Sequence, residues 1–133
     1  MITDSYIFLE DLRLFARHGV AEQEREVGNE YRVDVRLRTD IGRAARTDDV
    51  ADTVNYAEVF NLIRREMDTP SCLLEHVARR MVDAILSHFQ TVTEVRLTLR
   101  KRNPPMGADC LWAGVELTVQ REGSAEKNFR PRT

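Results

Sequence analysis

Residues 31–38 alternate strictly between apolar and charged side chains. The apolar positions are Tyr31, Val33, Val35 and Leu37, and every intervening position is arginine or aspartate. A period of two residues is the pattern of a β-strand with one buried face and one wet face. Such a strand is stable only in a sheet whose apolar face is covered. The remainder of the chain must therefore supply partner strands and a covering layer.

Three other segments show strand patterns. Residues 6–15 contain an apolar run in which the alternation is blurred, residues 95–100 alternate aliphatic with polar side chains, and residues 111–120 place an apolar residue at every second position. A turn containing Asn103-Pro104-Pro105 separates the last two segments. Together with residues 31–38, these segments predict the four strands of one sheet.

Two segments between the second and third strands have apolar residues at helical spacing. In the first, Asn55 is expected to cap the helix, with Glu58 in the capping-box position. In the second, Thr69-Pro70 is expected to provide the cap and the first helical position. The connecting residues 20–27 and 39–53 show no such periodicity and are predicted to be polar loops.

The predicted fold class is α+β, with the order ββααββ, a four-stranded antiparallel sheet and both helices on one face. The opposite face is predicted to be basic and solvated, since it carries Arg32, Arg36, Arg96 and Arg100. Open sheet edges favour pairing with another chain, and closing several sheets into a barrel would remove those edges. Residues 1–120 are predicted to form a single domain and residues 121–133, which lack periodicity, a disordered tail.

Composition and charge narrow the class of protein. The formal net charge of −2 gives no general attraction to nucleic acid or to anionic membranes. The N-terminal residues lack the basic and apolar regions of a secretory signal, and no apolar run approaches the ~20 residues of a membrane span, so a cytoplasmic location is expected. Cys72 and Cys110 are expected to be buried free thiols. His18, His76 and His88 lack ligand-like spacing, so no metal site is predicted.

Four short motifs follow one another along the chain. They are Arg17-His18-Gly19-Val20 with Glu24 and Glu26-Val27-Gly28 after it, Asp52-Thr53-Val54-Asn55-Tyr56, Leu73-Leu74-Glu75-His76, and Lys101-x-Asn103-Pro104-Pro105. On this order of strands and helices, the motifs resemble those of the dihydroneopterin aldolase family over residues 6–120. The resemblance implies a tunnelling fold, in which subunits join their sheets into a barrel with the helices outside. It also implies a homo-oligomer of four-membered rings, usually two rings stacked as an octamer, with active sites between subunits.

The reaction that the resemblance implies is the retro-aldol cleavage of the pterin 7,8-dihydroneopterin, a step of folate biosynthesis. The products are 6-hydroxymethyl-7,8-dihydropterin and glycolaldehyde. The cleavage needs a base for a side-chain hydroxyl proton and a sink for the electrons of the broken carbon–carbon bond. The substrate carries that sink as its conjugated N5=C6 imine, so the implied enzyme uses no metal, no Schiff base and no cofactor. The protein then has to bind, orient and move protons.

The resemblance also implies roles for individual residues. Lys101 is the general acid/base, and Tyr56 assists proton transfer from across a subunit interface. Glu75 accepts hydrogen bonds from the 2-amino group and a ring N–H of the pterin. The rest of the implied substrate-binding set is Glu24, Leu74 and Val54.

Each of the main site residues also has a purely structural interpretation. Lys101 ends a strand, where a solvated lysine is common, and Tyr56 falls on the apolar stripe of the first helix. Glu75 lies near a helix N-terminus, where the helix dipole stabilises a carboxylate. Glu24 belongs to a mixed polar run in which Glu22 is a rival for the loop position.

Three other functions stay open from the sequence. An epimerase would invert the 2′-carbon of dihydroneopterin or its triphosphate by cleavage and re-addition, and aldolases that the chain resembles often carry some of this activity. A non-catalytic pterin-binding ring protein would need the binding residues alone. Nucleic-acid binding is suggested by Arg96, Arg100, Lys101 and Arg102, although these lack interleaved aromatic residues.

Overall fold

The computed structural model describes residues 1–123, so residues 124–133, most of the predicted tail, lie outside the described residues. The elements are β1 (Tyr6–Ala16), α1 (Glu22–Val27), β2 (Asn29–Arg38), α2 (Gly42–Thr47), a 3-10 turn (Val50–Asp52), α3 (Tyr56–Met67), α4 (Leu74–His88), β3 (Glu94–Arg102) and β4 (Trp112–Gln120). No helix in residues 1–123 is long and apolar enough to cross a membrane.

The four strands form one sheet in the order β1-β2-β3-β4, and every neighbouring pair is antiparallel. α3 packs on β1, α4 packs on β3 and β4, and the two helices pack on each other. The predicted α+β class and the placement of both long helices on one face are therefore confirmed. Between β2 and β3 the register pairs Tyr31 with Lys101 and Leu37 with Val95.

The core lies between the sheet and the two long helices. The sheet contributes the alternating residues of β2 and β3, among them Val33, Val35 and Leu97, and α4 contributes residues such as Met81 and Ile85. Each side chain of this kind stabilises the fold by about 1.5–3 kcal/mol when it leaves water. The apolar alternation of residues 31–38 thus predicts the core face correctly.

A bulge in β1 explains the blurred alternation of residues 6–15. The register with β2 shifts between Leu9 and Leu12, and Asp11 adopts a φ of 60°. The Asp11 amide donates to the Asp34 carboxylate at 2.8 Å instead of extending the ladder. An extra residue on one strand moves the side chains that follow it relative to the pleat. The period of two therefore breaks at this point and resumes after it.

The prediction that residues 20–27 and 39–53 are loops is wrong, and the order ββααββ is incomplete for that reason. These segments contain α1, α2 and the 3-10 turn. Both helices have six residues and no buried residue, so they carry no apolar stripe that a sequence pattern would reveal. Local hydrogen bonds mark their ends. The Gly28 amide donates to the Glu24 carbonyl at 2.9 Å at the C-terminus of α1, and the Gly42 amide donates to the Asp40 carboxylate at 2.8 Å at the N-terminus of α2.

The starts of the long helices agree only in part with the prediction. Asn55 caps α3, because its side-chain oxygen accepts from the Ala57 amide at 2.9 Å. Glu58 does not complete a capping box, and its carboxylate lies 3.3 Å from Nε2 of His88. The predicted start of the next helix at Thr69-Pro70 is wrong, since α4 begins at Leu74. The segment before Leu74 is held by hydrogen bonds between Ser71 and the two residues His18 and Gly19 after β1, and these bonds override the local preference of proline.

The face of the sheet away from the helices carries the predicted arginines, and most of them are paired. Arg32 contacts Asp11 at 2.8 Å, Arg100 contacts Asp34 at 2.9 Å, and Arg96 contacts Glu94 at 2.7 Å. Arg36 lies over the Tyr6 ring at 4.8 Å. The face is therefore polar and largely neutralised.

Trp112 lies among the guanidinium groups on this face. The guanidinium carbons of Arg32, Arg100 and Arg102 lie 4.7, 5.7 and 5.9 Å from its ring centroid. Stacked cations of this kind are attracted by the negative face of the indole. The indole thus ties the first residue of β4 to β2 and β3.

The cysteines differ from the expectation of buried thiols. Cys72 is exposed and Cys110 is partly exposed, and both are free. Cys72 lies in the connection before α4, which runs over the surface, so its side chain is not enclosed by the core.

Candidate active site

Lys101 lies near the end of β3 on the side of the sheet that the helices cover. It follows Leu99 by two residues, and the pleat therefore directs both side chains to the same face. Its side chain is 12% exposed, and its Nζ lies 2.7 Å from Oε2 of Glu24. A lysine in this position is not the solvated strand end of the structural interpretation. It is a nearly buried ammonium with one carboxylate partner.

The partner of Lys101 is Glu24 on α1. The sequence alone did not decide between Glu24 and Glu22 for the acidic residue of this segment in the site. Its Oε1 also accepts from the Ala21 amide at 3.3 Å, whereas Glu22 is exposed. The hydrogen bond from Lys101 is the main reason why the pKa of the Glu24 carboxyl is lowered, although burial opposes the shift. A Cβ built on Gly19 would lie 2.4 Å from Oε1 of Glu24, at a φ of +152°. Gly19 is thus required for the close approach of Glu24.

His18 is buried beside this pair, and its contribution was missed from the sequence. Its side chain is 1% exposed, and its ring meets the Tyr31 ring edge-on with centroids 5.3 Å apart. Nδ1 accepts from the Ser71 amide at 3.1 Å, and the Tyr31 hydroxyl donates to the His18 carbonyl at 2.9 Å. The sequence did contain a signal, because His18 belongs to the first of the four motifs.

Burial and neighbouring charge shift the pKa values of His18 and Tyr31 in opposite directions. Burial, followed by the positive charges of Arg80 and Lys101, lowers the pKa of His18 to about 4. Burial raises the pKa of Tyr31 to about 12, and the nearby charge of Glu24 adds to the shift. Both side chains are therefore neutral at neutral pH.

Leu74 and Glu75 lie in the first turn of α4, and the chain that precedes α4 is bonded to the chain that precedes α1, the helix that carries Glu24. The two segments are joined by a bond from the Gly19 amide to the Ser71 carbonyl at 2.9 Å. Leu74 packs against the core, while Glu75 is exposed and makes no salt bridge with any residue of 1–123. The structure thus brings Lys101, Glu24, Leu74 and Glu75 to one end of the sheet.

Val54 and Tyr56 lie at the other end of the sheet. Val54 is buried and borders a cavity of about 260 Å³ that Thr39 and Thr91 also line. Thr39 follows the end of β2, where Arg38 pairs with Glu94 at the far end of the 9-residue β3. A strand of that length extends roughly 27 Å. Within one chain, Tyr56 and Val54 are therefore remote from Lys101.

Tyr56 is not part of the core. It is 63% exposed at the first position of α3, although the residues that follow it on the predicted stripe, Val59 and Ile63, are buried. Its structural interpretation as a core residue is wrong. An exposed aromatic hydroxyl at a helix start is accessible to another molecule.

The arrangement supplies two partial sets of groups. One end of the sheet holds a nearly buried lysine and carboxylate pair, and the exposed carboxylate of Glu75 lies at the same end, an arrangement that suits proton transfer near a bound polar ring. The other end holds an exposed phenol beside a buried valine. Among residues 1–123, no three or more His, Cys, Asp or Glu side chains are grouped so that they could hold a metal ion.

Comparisons with known proteins agree on one family. The family model described as FolB, dihydroneopterin aldolase, matches residues 7–118. A dihydroneopterin aldolase of Staphylococcus epidermidis is 37% identical over 117 residues, which cover 87% of this chain and 97% of that relative. A dihydroneopterin aldolase of Bacillus subtilis is 28% identical over 116 residues, which cover 86% of this chain and 97% of that relative. The crystal structure of the Escherichia coli dihydroneopterin aldolase in complex with neopterin aligns with a TM-score of 0.80 at 26% identity, covering 86% of this chain and 98% of that one.

The shifted pKa of His18 predicts how stability depends on pH. The unfolded chain takes up a proton near the ordinary value of 6.5, whereas the folded chain takes it up only at about 4. The resulting stability is complete above pH 6.5 and is lost as the pH falls from 6.5 to about 4, by on the order of 3 kcal/mol. Urea unfolding across this range measures the loss. NMR of labelled histidine should show the His18 ring neutral at about pH 5 in the folded protein, and a midpoint near 6.5 there would contradict the prediction.

Proposed function

The chain belongs to the dihydroneopterin aldolase family, and from that membership and the site geometry we propose that it cleaves 7,8-dihydroneopterin by acid/base chemistry without a metal or a Schiff base. The products are 6-hydroxymethyl-7,8-dihydropterin and glycolaldehyde. The observation that carries the proposal is the nearly buried Lys101–Glu24 pair, 2.7 Å apart, at the end of the sheet where α4 begins with the exposed Glu75. The neopterin in the Escherichia coli relative supports a pterin as the ligand.

The proposed reaction needs only proton movements from the protein. A base removes the proton of the 2′-hydroxyl, the bond between C1′ and C2′ breaks, and C2′ becomes the aldehyde carbon of glycolaldehyde. The electron pair of the broken bond moves through C6 to N5, which gives an enamine of the pterin ring. Protonation at C1′ then restores the imine and completes the hydroxymethyl group. Each proton is moved by a positioned acid or base, a kind of catalysis worth roughly 10²–10⁴-fold in rate.

Lys101 is the proposed proton carrier. Its side chain is held by the sheet register and by Glu24, so the Nζ has a defined position rather than the mobility of a surface lysine. A catalytic group that is already in place loses little entropy when the reaction begins. Glu24 also belongs to the substrate set that we propose, since a carboxylate beside Lys101 can accept a hydrogen bond from a substrate hydroxyl.

Glu75 is the proposed anchor of the pterin ring. The flat edge of a pterin presents a 2-amino group beside a ring N–H, and one carboxylate accepts from both at once. Glu75 is free to do so, because no cation among residues 1–123 occupies it. Glu75 lies in the first turn of α4, so the fold fixes the direction in which its backbone presents it. Leu74, the neighbouring residue, would contact the ring beside this edge.

The remaining site residues are proposed to come from a second subunit. Tyr56 and Val54 lie at the opposite end of the sheet from Lys101, so one chain alone does not assemble the whole set. A ring in which the sheets join edge to edge would bring one chain's Tyr56 to the next chain's Lys101 and would cover the open edges of β1 and β4. We propose such a ring, in the tetrameric or stacked octameric form of a tunnelling-fold barrel.

The other functions make different demands. A 2′-epimerase would use the same cleavage and return the fragment to the opposite face, so it stays open as a side activity. A pterin-binding ring without catalysis would leave the Lys101–Glu24 pair without a role. Nucleic-acid binding is not supported, because Lys101 faces the helices while Arg96 and Arg100 lie on the opposite face in ion pairs. The cytoplasmic location and the single domain of residues 1–120 stay predictions from the sequence.

Incubation of the purified protein with 7,8-dihydroneopterin tests the function. We expect release of glycolaldehyde at a rate that is unchanged by an excess of EDTA, since the substrate ring itself takes up the electrons. Enzyme that is exposed to substrate and borohydride together, and is then freed of both, should keep its activity, because no Schiff base forms for borohydride to trap. Loss of turnover in EDTA that returns with a divalent ion would overturn the metal-free mechanism. Accumulation of the 2′-epimer without glycolaldehyde would favour the epimerase.

Substitution of Lys101 and Glu75 should separate chemistry from binding. Lys101→Ala is expected to lower kcat by roughly 10²–10⁴-fold with neopterin binding nearly unchanged, because the lost group moves protons. Glu75→Ala is expected to weaken neopterin binding by roughly 10–100-fold, since two ring donors lose their acceptor. Glu22→Ala, an exposed carboxylate on α1, is the control and should change neither quantity. Normal neopterin binding by Glu75→Ala would refute the anchoring role.

Mixed oligomers test whether the site is shared between subunits. Lys101→Ala and Tyr56→Phe are each expected to be impaired alone, but dissociating and reassociating them together should restore activity at about one quarter of the sites of a randomly mixed ring. The matched control mixes Lys101→Ala with Glu75→Ala. Both of those residues lie at the same end of one chain, so every site in that mixture stays defective. Equal recovery in the two mixtures would contradict the shared site.

A further inference from the structure

The connection between α3 and α4 is bonded to the turn that follows β1 by two hydrogen bonds at Ser71. The Ser71 amide donates to Nδ1 of His18 at 3.1 Å, and the Ser71 carbonyl accepts from the Gly19 amide at 2.9 Å. One residue thus has both backbone groups satisfied by two consecutive residues of another segment, with an imidazole in place of the usual carbonyl. We refer to these two bonds as the Ser71 clamp.

The Ser71 clamp joins the two segments that carry the proposed binding groups. The chain that leaves His18-Gly19 enters α1, which holds Glu24, and the chain that leaves Ser71 enters α4, whose first turn holds Glu75. Apart from the clamp, only a long contact between the Arg25 guanidinium and the Cys72 sulfur, at 3.9 Å, links these segments by a polar interaction within residues 1–123. The separation between Glu24 and Glu75 is therefore set by the clamp together with the packing of α4 on β3 and the pairing of Glu24 with Lys101.

His18 is itself held by Tyr31 of β2, the strand that pairs with β3. The Tyr31 hydroxyl donates to the His18 carbonyl at 2.9 Å, and the Tyr31 ring packs against the imidazole. Tyr31 is opposite Lys101 in the register of β2 and β3. A continuous set of contacts thus runs from Lys101 through Tyr31 and His18 to Ser71 at the entrance of α4.

The clamp requires a neutral imidazole. Nδ1 can accept from the Ser71 amide only when it carries no proton, which places the ring hydrogen on Nε2. The groups that face the ring from the surrounding elements are Arg80 of α4, Lys101 of β3 and the Tyr31 phenol of β2, with Glu24 of α1 paired to Lys101. Burial, followed by the two nearby cations, disfavours a positive charge on the ring, so the neutral form that can accept at Nδ1 is the stable one.

We propose that His18 is a positioning residue for the aldolase reaction, because the Ser71 clamp holds the pterin anchor Glu75 at a set distance from Lys101. The inference rests on the proposed function, since it concerns how the distance between Glu75 and Lys101 is maintained. A pterin gripped by Glu75 presents its hydroxylated side chain to Lys101 only while that distance is kept. A displacement of about 1 Å between catalytic groups is enough to lower a rate by ~100-fold. Binding at Glu75 itself would survive such a displacement.

Two substitutions of different hydrogen-bonding capacity test this proposal. The variant His18→Asn keeps an acceptor near the position of Nδ1, while His18→Leu keeps the bulk without an acceptor. Both variants lose the edge-on contact between the imidazole and the Tyr31 ring. A difference in kcat between the two variants therefore measures the effect of the hydrogen bond to Ser71 alone. We expect His18→Leu to lower kcat by ~10–100-fold with neopterin affinity within about threefold of the parent, and His18→Asn to retain most of kcat. Equal kcat losses in the two variants, or full activity in His18→Leu, would overturn the proposal.

Hydrogen exchange gives a second readout that does not depend on turnover. Mass spectrometry of the peptide around Ser71, without substrate, should show faster amide exchange in His18→Leu and near-parental exchange in His18→Asn. If the parent protein releases no glycolaldehyde while this exchange pattern holds, the proposed function fails and the clamp stands. If neither variant folds, NMR of the parent decides, because a hydrogen on Nδ1 rather than Nε2 of His18 would overturn the clamp directly.

Discussion

The alternation of side chains across the pleat decides which residues of β3 are buried, and the proposed active site depends on it. Val95, Leu97 and Leu99 meet the helices, and the same period carries Lys101 to that side. A nearly buried ammonium is costly unless an anion accompanies it, because removal from water disfavours the charged form. Glu24 supplies that anion from α1, 77 residues earlier in the chain. The position of α1 is thus tied to the sheet by the charge of Lys101 as well as by backbone bonds.

The length of the strands separates the two halves of the proposed site within one chain. Lys101 with Glu75 and Tyr56 with Val54 lie at opposite ends of strands roughly 27 Å long, so the proposed set of site residues would need two chains. Under this proposal, assembly and catalysis share one requirement. Any change that weakens the sheet edges would also separate the two halves of the site, even when each chain stays folded.

The sequence predicts those parts of the molecule that repeat a pattern. Residues 31–38 and 95–100 identify the core face, and the stripes of α3 and α4 identify the covering layer, because burial imposes a period on many residues at once. α1 and α2 bury nothing, so no period marks them. The start of α4 was misplaced because Ser71 bonds to His18, a contact between residues 53 apart that proline preference cannot reveal. The motifs lead to Lys101 and Glu75 as proposed site residues, whereas the Lys101–Glu24 contact and the burial of His18 arise only in the folded chain.

The position of Trp112 has a practical consequence for studying the assembly. It is the single tryptophan of the chain, so the intrinsic indole emission of the protein arises from one place. That place is the first residue of the edge strand β4, under the guanidinium groups of Arg32, Arg100 and Arg102. Indole emission responds to nearby charge and to water. The protein therefore carries an intrinsic optical reporter of the sheet edge, which could follow dissociation of the proposed ring without a label.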